Sequence, residues 1–371
     1  MSLIAAFRCS CLLTAALLLP EIAPAAPDFA VSTNTLPGLQ SVSADNPAFR
    51  YEGRFDMKDP AAPVVVWQAS RIAVDFTGPR LVLLFDRLDG ECHFNAAIDG
   101  TNHLLSLRDP AVRAYELQPP PGPGAHRLVL FKRSEAAAGY AAFLGIEIAP
   151  DARVSPPAQA VPPFRMMFFG DSITAGACNE DGAQDQWKDR STHNNALSYG
   201  AMTAEAFHAD YRNIAVSGMG VSTGWVGVRA IEMWNKLYPK ADSAPANLES
   251  WKPQVLFINL GENDNSFTSA KHQPFPPTFT ENYVALVRAF RAAWPDSQVV
   301  LLRGGMFGGS QSAALREAWQ KVIDKLEPGD PRIHHFAFQH WSGNHPRVAD
   351  DRAMADELIA WLRTQPFMPR D

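Results

Sequence analysis

The chain is poor in cysteine, in positive charge and in long apolar runs. Of its 4 cysteines, Cys9 and Cys11 fall within the first 25 residues, leaving Cys92 and Cys178. Two cysteines cannot build the disulfide framework of a small secreted scaffold, so two partly buried free thiols are expected, with a single bridge the less favoured alternative. No Cys-x-x-Cys or His-Glu-x-x-His spacing occurs, and His334, His335, His340 and His345 are spaced like no common zinc site. No metal and no cofactor are therefore expected. Lys+Arg 33 against Asp+Glu 39 gives a net charge of -6. That balance lacks the basic excess of a nucleic-acid binder, so no nucleic-acid partner is expected. No segment reaches the roughly 20 apolar residues of a membrane span, so no membrane partner is expected either.

What is present points to a folded, exported protein. Hydrophobic residues make up 46% and aromatics 10%, enough for real cores. A length of 371 residues predicts about two domains. Arg8, the apolar stretch Leu12 to Leu19 and the small-x-small triplet Ala23-Pro24-Ala25 read as a secretory leader over residues 1–25, cleaved on export to a periplasmic or extracellular location.

The grammar of the chain changes once. Residues 26–48 read as an extended lead-in. Over 49–149, short β-rich runs such as Arg71-Ile72-Ala73-Val74-Asp75-Phe76 and Arg127-Leu128-Val129-Leu130-Phe131-Lys132 are punctuated by Gly78-Pro79, Asp89-Gly90 and Asp99-Gly100. That pattern predicts an all-β sandwich. Residues 150–163 carry the prolines of a linker. From 164 to 371, apolar strands alternate with helical stretches, which predicts a three-layer α/β domain around a parallel sheet.

Candidate chemistry lies where strands end, because reactive groups of open α/β sheets collect there. Gly170-Asp171-Ser172-Ile173-Thr174 follows an apolar strand and exposes a serine at a strand-to-helix turn. Asn213-Ile214-Ala215-Val216-Ser217-Gly218 ends a second strand on a glycine whose backbone can approach a ligand closely. Gly261-Glu262-Asn263-Asp264 ends a third with an amide donor, and Ser342-Gly343-Asn344-His345-Pro346 places a histidine before the last helix. Gly218-Met219-Gly220 followed by Gly224 lacks the spacing of a dinucleotide loop.

A serine, a glycine, an asparagine and a histidine in that order resemble the SGNH (GDSL-type) hydrolase superfamily. Arg50-Tyr51-Glu52-Gly53-Arg54-Phe55-Asp56, Ile98-Asp99-Gly100 and Lys132-Arg133-Ser134-Glu135 further resemble the jelly-roll domain of carbohydrate esterase family 2. The resemblance implies an esterase removing O-acetyl groups from plant cell-wall polysaccharides or their oligosaccharides. Ser172 would be the nucleophile and His345 its base, with the oxyanion held by the N–H groups of Ser172 and Gly218 and the amide of Asn263. Asp171 and Asp264 would brace the loops. The superfamily usually carries an aspartate three residues before the histidine, and Ser342 stands there. In this the chain resembles the family 2 esterases that work with a Ser–His dyad, which implies a backbone carbonyl orienting His345, Asp350 and Asp351 being poor substitutes on spacing. Trp341 and Trp225 are candidates for stacking on a sugar ring. A lipid esterase or thioesterase on the same fold, and an inert carbohydrate-binding protein, are the alternatives.

Overall fold

The computed structural model describes residues 28–118 and 120–369. The expected leader lies outside them. Two antiparallel sheets form the N-terminal part. One runs in the order β1 (Phe29–Ser32), β10 (Ala114–Leu117), β7 (Leu81–Gly90), β12 (Gly139–Ile148), β5 (Val64–Val65) and β4 (Phe55–Asp56), with β2 (Gln40–Ser43) also paired to β12. The other runs β13 (Val154–Ser155), β6 (Arg71–Thr77), β11 (Ala125–Lys132), β8 (Cys92–Ile98) and β9 (Thr101–Leu107), with β3 (Arg50–Glu52) paired to β6. Residues 28–48 are thus more than the extended lead-in expected over 26–48, since Val42 and Phe29 are buried in the sandwich core. Their short strands escape a periodicity search because each spans only 4 residues. Facing residues of the sheets interdigitate around Phe85, whose ring meets Phe143 at 5.5 Å and Phe94 at 5.4 Å. Truncating such a buried ring to alanine costs about 3–5 kcal/mol. Cys92 and Cys178 are both free and buried.

The C-terminal sheet is parallel throughout, in the order β15 (Asp210–Ala215), β14 (Arg165–Gly170), β16 (Val255–Asn259), β17 (Gln298–Met306) and β18 (Ile333–Ser342). Every residue of β16 is buried, as a strand covered on both faces requires. Alternate side chains serve opposite layers. Met167, Phe169, Leu256 and Ile258 pack against α5 (Phe279–Ala293) and α7 (Ala313–Leu326). Met166, Phe168 and Phe257 pack against α2 (Tyr199–Ala206) and α8 (Val348–Leu362). Helix α5 earns its place by spacing: Phe279, Tyr283, Leu286, Val287 and Phe290 share its buried face. The remaining α-helices are α1 (Ser172–Ala175), α3 (Ala230–Met233), α4 (Glu262–Ala270) and α6 (Phe307–Gln311). Val66, Trp67 and Ala136 of the sandwich belong to the same buried cluster as α5 and α7, and Trp67 Nε1 donates to Leu237 O at 2.8 Å. The two parts therefore share a core.

Candidate active site

Chain order reverses about β14, with β15 on one side and β16 on the other, so the loops after these three strands converge on one crevice. Gly170 ends β14, and Asp171 caps the N-terminus of α1, its Oδ1 accepting from Ile173 N at 3.1 Å. The cap starts the helix at Ser172. Gly218 follows β15, and Asn263 lies in the first turn of α4 beyond β16. Ser172, Ser217, Gly218, Asn263 and His345 line one cavity of about 390 Å3, together with Trp187, Trp225 and Glu262. Among the described residues, neither the Ser172 N–H nor the Gly218 N–H donates to a protein acceptor. Gly218 has φ +80°, and a Cβ there would lie 3.1 Å from Val226 Cγ1 and 3.2 Å from Trp225 Cβ. Only glycine fits both the backbone and the space.

The orienting group of His345 is a side chain, not the backbone carbonyl expected. His345 Nδ1 lies 2.7 Å from Asp185 Oδ2, leaving Nε2 for the cavity. Asp185 sits 160 positions away, in the irregular loop after α1. Arg347 Nη2 lies 2.8 Å from Asp185 Oδ1. Arg347 also donates to the carbonyls of Gly182 at 2.7 Å and Cys178 at 3.1 Å, while Asn344 Nδ2 donates to Ala183 O at 3.0 Å. The loop is stitched to the histidine segment by these bonds. Partial burial pushes the Asp185 carboxyl up, but the bonds and charge of His345 and the bond from Arg347 outweigh it and hold the group at about 2. Asp350 instead pairs with His340 Nε2 at 2.7 Å. Asp351 is buried and accepts from Tyr199 N at 2.9 Å.

A layer of carboxyls underlies the site. Burial, with Glu262 and Asp264 nearby, pushes Asp171 up to about 8, against the pull of the Ile173 N–H and the Asn263 amide. Asp264 accepts from the N–H groups of Val221 at 2.8 Å, Ser222 at 2.7 Å and Thr223 at 3.0 Å, so it clamps the loop beyond Gly218. Burial raises it to about 6. Glu262 is also raised by burial and accepts from Gly309 N at 2.7 Å and Gly308 N at 3.1 Å. Asn263 Nδ2 donates to Asp171 Oδ2 and Met219 O, each at 3.1 Å, which fixes the amide plane at the cavity wall.

The tryptophans divide. Trp225 is half-exposed at the cavity, its Nε1 donating to Ser266 Oγ at 2.9 Å. Trp341 is absent from the lining and meets Phe307 edge-on at 5.9 Å. Trp187, which no motif pointed to, stacks on the His345 ring at 5.5 Å and takes the Arg190 guanidinium on its own face at 4.2 Å. Neither Asp185 nor Trp187 has a periodicity or turn signature that a sequence reading could use.

One set of donors invites a metal reading. Ligand atoms of Cys178, Asp185 and His345 lie within 4.8 Å of one another. Burial, with Asp181 and Asp185 close by, pushes the Cys178 thiol up, and Arg347 already neutralises Asp185. A metal needs the thiolate, so the set fits the packing behind a histidine better than an ion.

Two family models match the chain. The family model described as GDSL-like Lipase/Acylhydrolase family matches residues 168–358, and that described as Carbohydrate esterase 2 N-terminal matches residues 51–157. The chain belongs to the GDSL-like lipase/acylhydrolase family. With the carbohydrate esterase 2 domain ahead of it, it is a carboxylic ester hydrolase of the family 2 carbohydrate esterase type. It is 28% identical over 337 residues to the cellulase/esterase CelE of Acetivibrio thermocellus, covering 88% of this chain and 40% of that protein. The esterase thus spans less than half of that relative's length. It is 28% identical over 323 residues to an acetylxylan esterase / glucomannan deacetylase of Cellvibrio japonicus, covering 82% of this chain and 86% of that one. A solved family two carbohydrate esterase from Clostridium thermocellum, in complex with cellohexaose, superposes with a TM-score of 0.76 at 28% identity, covering 85% of this chain and 98% of that one.

Proposed function

We propose that this esterase is exported and removes O-acetyl groups from plant cell-wall polysaccharides, acetylated xylan or glucomannan or their oligosaccharides, through an acetyl-enzyme on Ser172. The observation that carries the reading is the convergence on one cavity of Ser172, two N–H groups with no protein acceptor, the Asn263 amide and a carboxylate-oriented His345. The relatives that act on acetylxylan and glucomannan support the substrate class.

Ser172 Oγ attacks the acetyl carbonyl as His345 Nε2 takes its proton. The oxyanion is held by the N–H groups of Ser172 and Gly218 and by Asn263 Nδ2, which turns toward it the N–H that it now donates to Met219 O. One such donor is worth about 3–4 kcal/mol in the transition state. The bond to the sugar oxygen breaks as the imidazolium returns its proton to that oxygen, and water repeats the sequence to release acetate. Asp185 stays ionised and stabilises the imidazolium. Trp187 and Trp225, 38% and 52% exposed at the cavity, offer faces to a pyranose ring.

Acetate release from acetylated xylan, glucomannan and monosaccharide esters, with products assigned by NMR, tests the reading. Ser172→Ala should remove activity while leaving the fold intact. Residual turnover above about a hundredth of wild type, or a preference for acyl chains of about eight carbons or more, would overturn it.

A further inference from the structure

We infer that the β-sandwich supplies a positioning residue to the active site: Glu135, whose carboxylate braces the oxyanion loop and the aromatic platform of His345 together. The inference rests on the roles proposed above for Ser172, Gly218 and His345. Glu135 is 1% exposed and lies just beyond β11, yet both its oxygens reach into the α/β domain. Oε2 accepts from Ser217 N at 3.1 Å, one residue ahead of Gly218. Oε1 accepts from Arg190 Nη1 at 3.2 Å. The Arg190 guanidinium lies 4.2 Å over Trp187, and Trp187 stacks on His345 at 5.5 Å. One carboxylate therefore holds two loops that the catalytic cycle needs in register.

The surrounding sandwich is built to hold that carboxylate still. Lys132 is fully buried, and its Nζ donates to the carbonyls of Ser134 at 2.7 Å and Glu135 at 3.1 Å. Burying an ammonium is costly unless its protons are met, so its use here is to fix one turn of backbone. Ser134 Oγ accepts from His93 N at 3.0 Å, tying the same turn to β8. Ala136 N donates to Gln68 Oε1 at 3.0 Å, and Gln68 Nε2 donates to Ala215 O at 2.9 Å, the last residue of β15. The oxyanion loop is thus gripped on both sides of Val216 by groups from the sandwich. A purely structural interface would have no reason to converge on the two loops that carry Gly218 and support His345.

The test compares Glu135→Gln, Glu135→Ala and Arg190→Met with wild type, using 4-nitrophenyl acetate turnover and the rate at which a fluorophosphonate labels Ser172. Gln keeps an acceptor for Ser217 N but loses the anion facing Arg190, and Met removes that arm from the other side at a site that is only half-buried. Small misplacements of catalytic groups cost up to about a hundredfold. We expect kcat to fall about tenfold in Glu135→Gln and Arg190→Met and about a hundredfold in Glu135→Ala, with KM within about twofold and labelling slowed in parallel. The Glu135→Gln/Arg190→Met pair should lose no more than either single variant, because both break one path. Wild-type kcat in folded Glu135→Gln and Arg190→Met, with Ser172→Ala inactive, would overturn this inference alone. Activity and labelling that survive Ser172→Ala would overturn the site itself. If the Glu135 variants do not fold, Arg190→Met decides.

Discussion

Asp185 governs which nitrogen of His345 carries the proton. With ionised Asp185 accepting at 2.7 Å from Nδ1, Nε2 is the free base of the neutral imidazole. Changing Asp185 to Asn should lower kcat ~10²–10⁴-fold, because the imidazolium loses its counter-charge and the tautomer is no longer dictated. Asp350→Asn, which touches His340 instead, should cost less than about tenfold. Steady-state kinetics on folded protein checks both, and a loss below about tenfold at Asp185 would return His345 to a dyad. Because Asp185 is held at about 2, it keeps its charge through the whole assay range and adds no acid limb of its own to the rate profile. On the oxyanion role proposed for its amide, Asn263→Ala should lower kcat ~10²–10³-fold with little change in KM. A change confined to KM would make it a substrate-binding residue.

At the scale of elements, the site is a product of loop geometry at three strand ends. The loop after β15 turns through Gly218 in the left-handed region and is then clamped by Asp264 through three backbone N–H groups. Gly308 performs a similar service after β17: a Cβ there would lie 2.7 Å from Glu262 Oε1, so only glycine lets the carboxylate reach the start of α6. Gly218→Ala places a side chain in the left-handed region and against Trp225 and Val226. It should destabilise the fold by about 1–2 kcal/mol and, on the oxyanion role proposed for the Gly218 N–H, lower kcat by more than about tenfold. Thermal melts and kinetics on the same sample separate the two effects, and unchanged kcat would remove Gly218 from the oxyanion site.

For the whole molecule, the buried carboxyls make stability depend on pH. Asp171 is raised to about 8 and Asp264 to about 6, with Glu262 and Asp351 also raised, all chiefly by burial. A carboxyl raised on folding binds more protons folded than unfolded, so stability falls as pH climbs from the unfolded value of about 4 through the folded one. Burial pulls His93 and His193 down to about 4, which works the other way, but only below their unfolded value of about 6.5. Between about pH 6.5 and 8 the carboxyls act unopposed by these histidines, and the melting temperature should decline across that window. A rise there in differential scanning calorimetry would contradict the assignment. Because Trp67 shares a core with α5 and α7, the two parts are expected to unfold together, as one calorimetric peak rather than two.

Local order was legible because it is written in neighbouring residues. The alternation in Arg71–Thr77, the apolar run Val255–Asn259 and the helical spacing of Phe279–Ala293 each state their element and their buried face. The four motif blocks around Ser172, Gly218, Asn263 and His345 state the order in which strand ends deliver their groups. Strand β18 was less legible, since only Ile333 and Phe338 are buried along it and its edge position leaves a mixed pattern. What tertiary structure alone decided is which distant groups meet. Asp185 and Trp187 lie in a loop without periodicity, and nothing in the sequence 160 positions before His345 marks an acid as its partner. Glu135 reads as one more acid after a strand until the sandwich docks and both oxygens find donors in the other domain. Elements follow from local patterns of side chains, whereas a constellation follows from how loops are packed, and that depends on the whole chain at once.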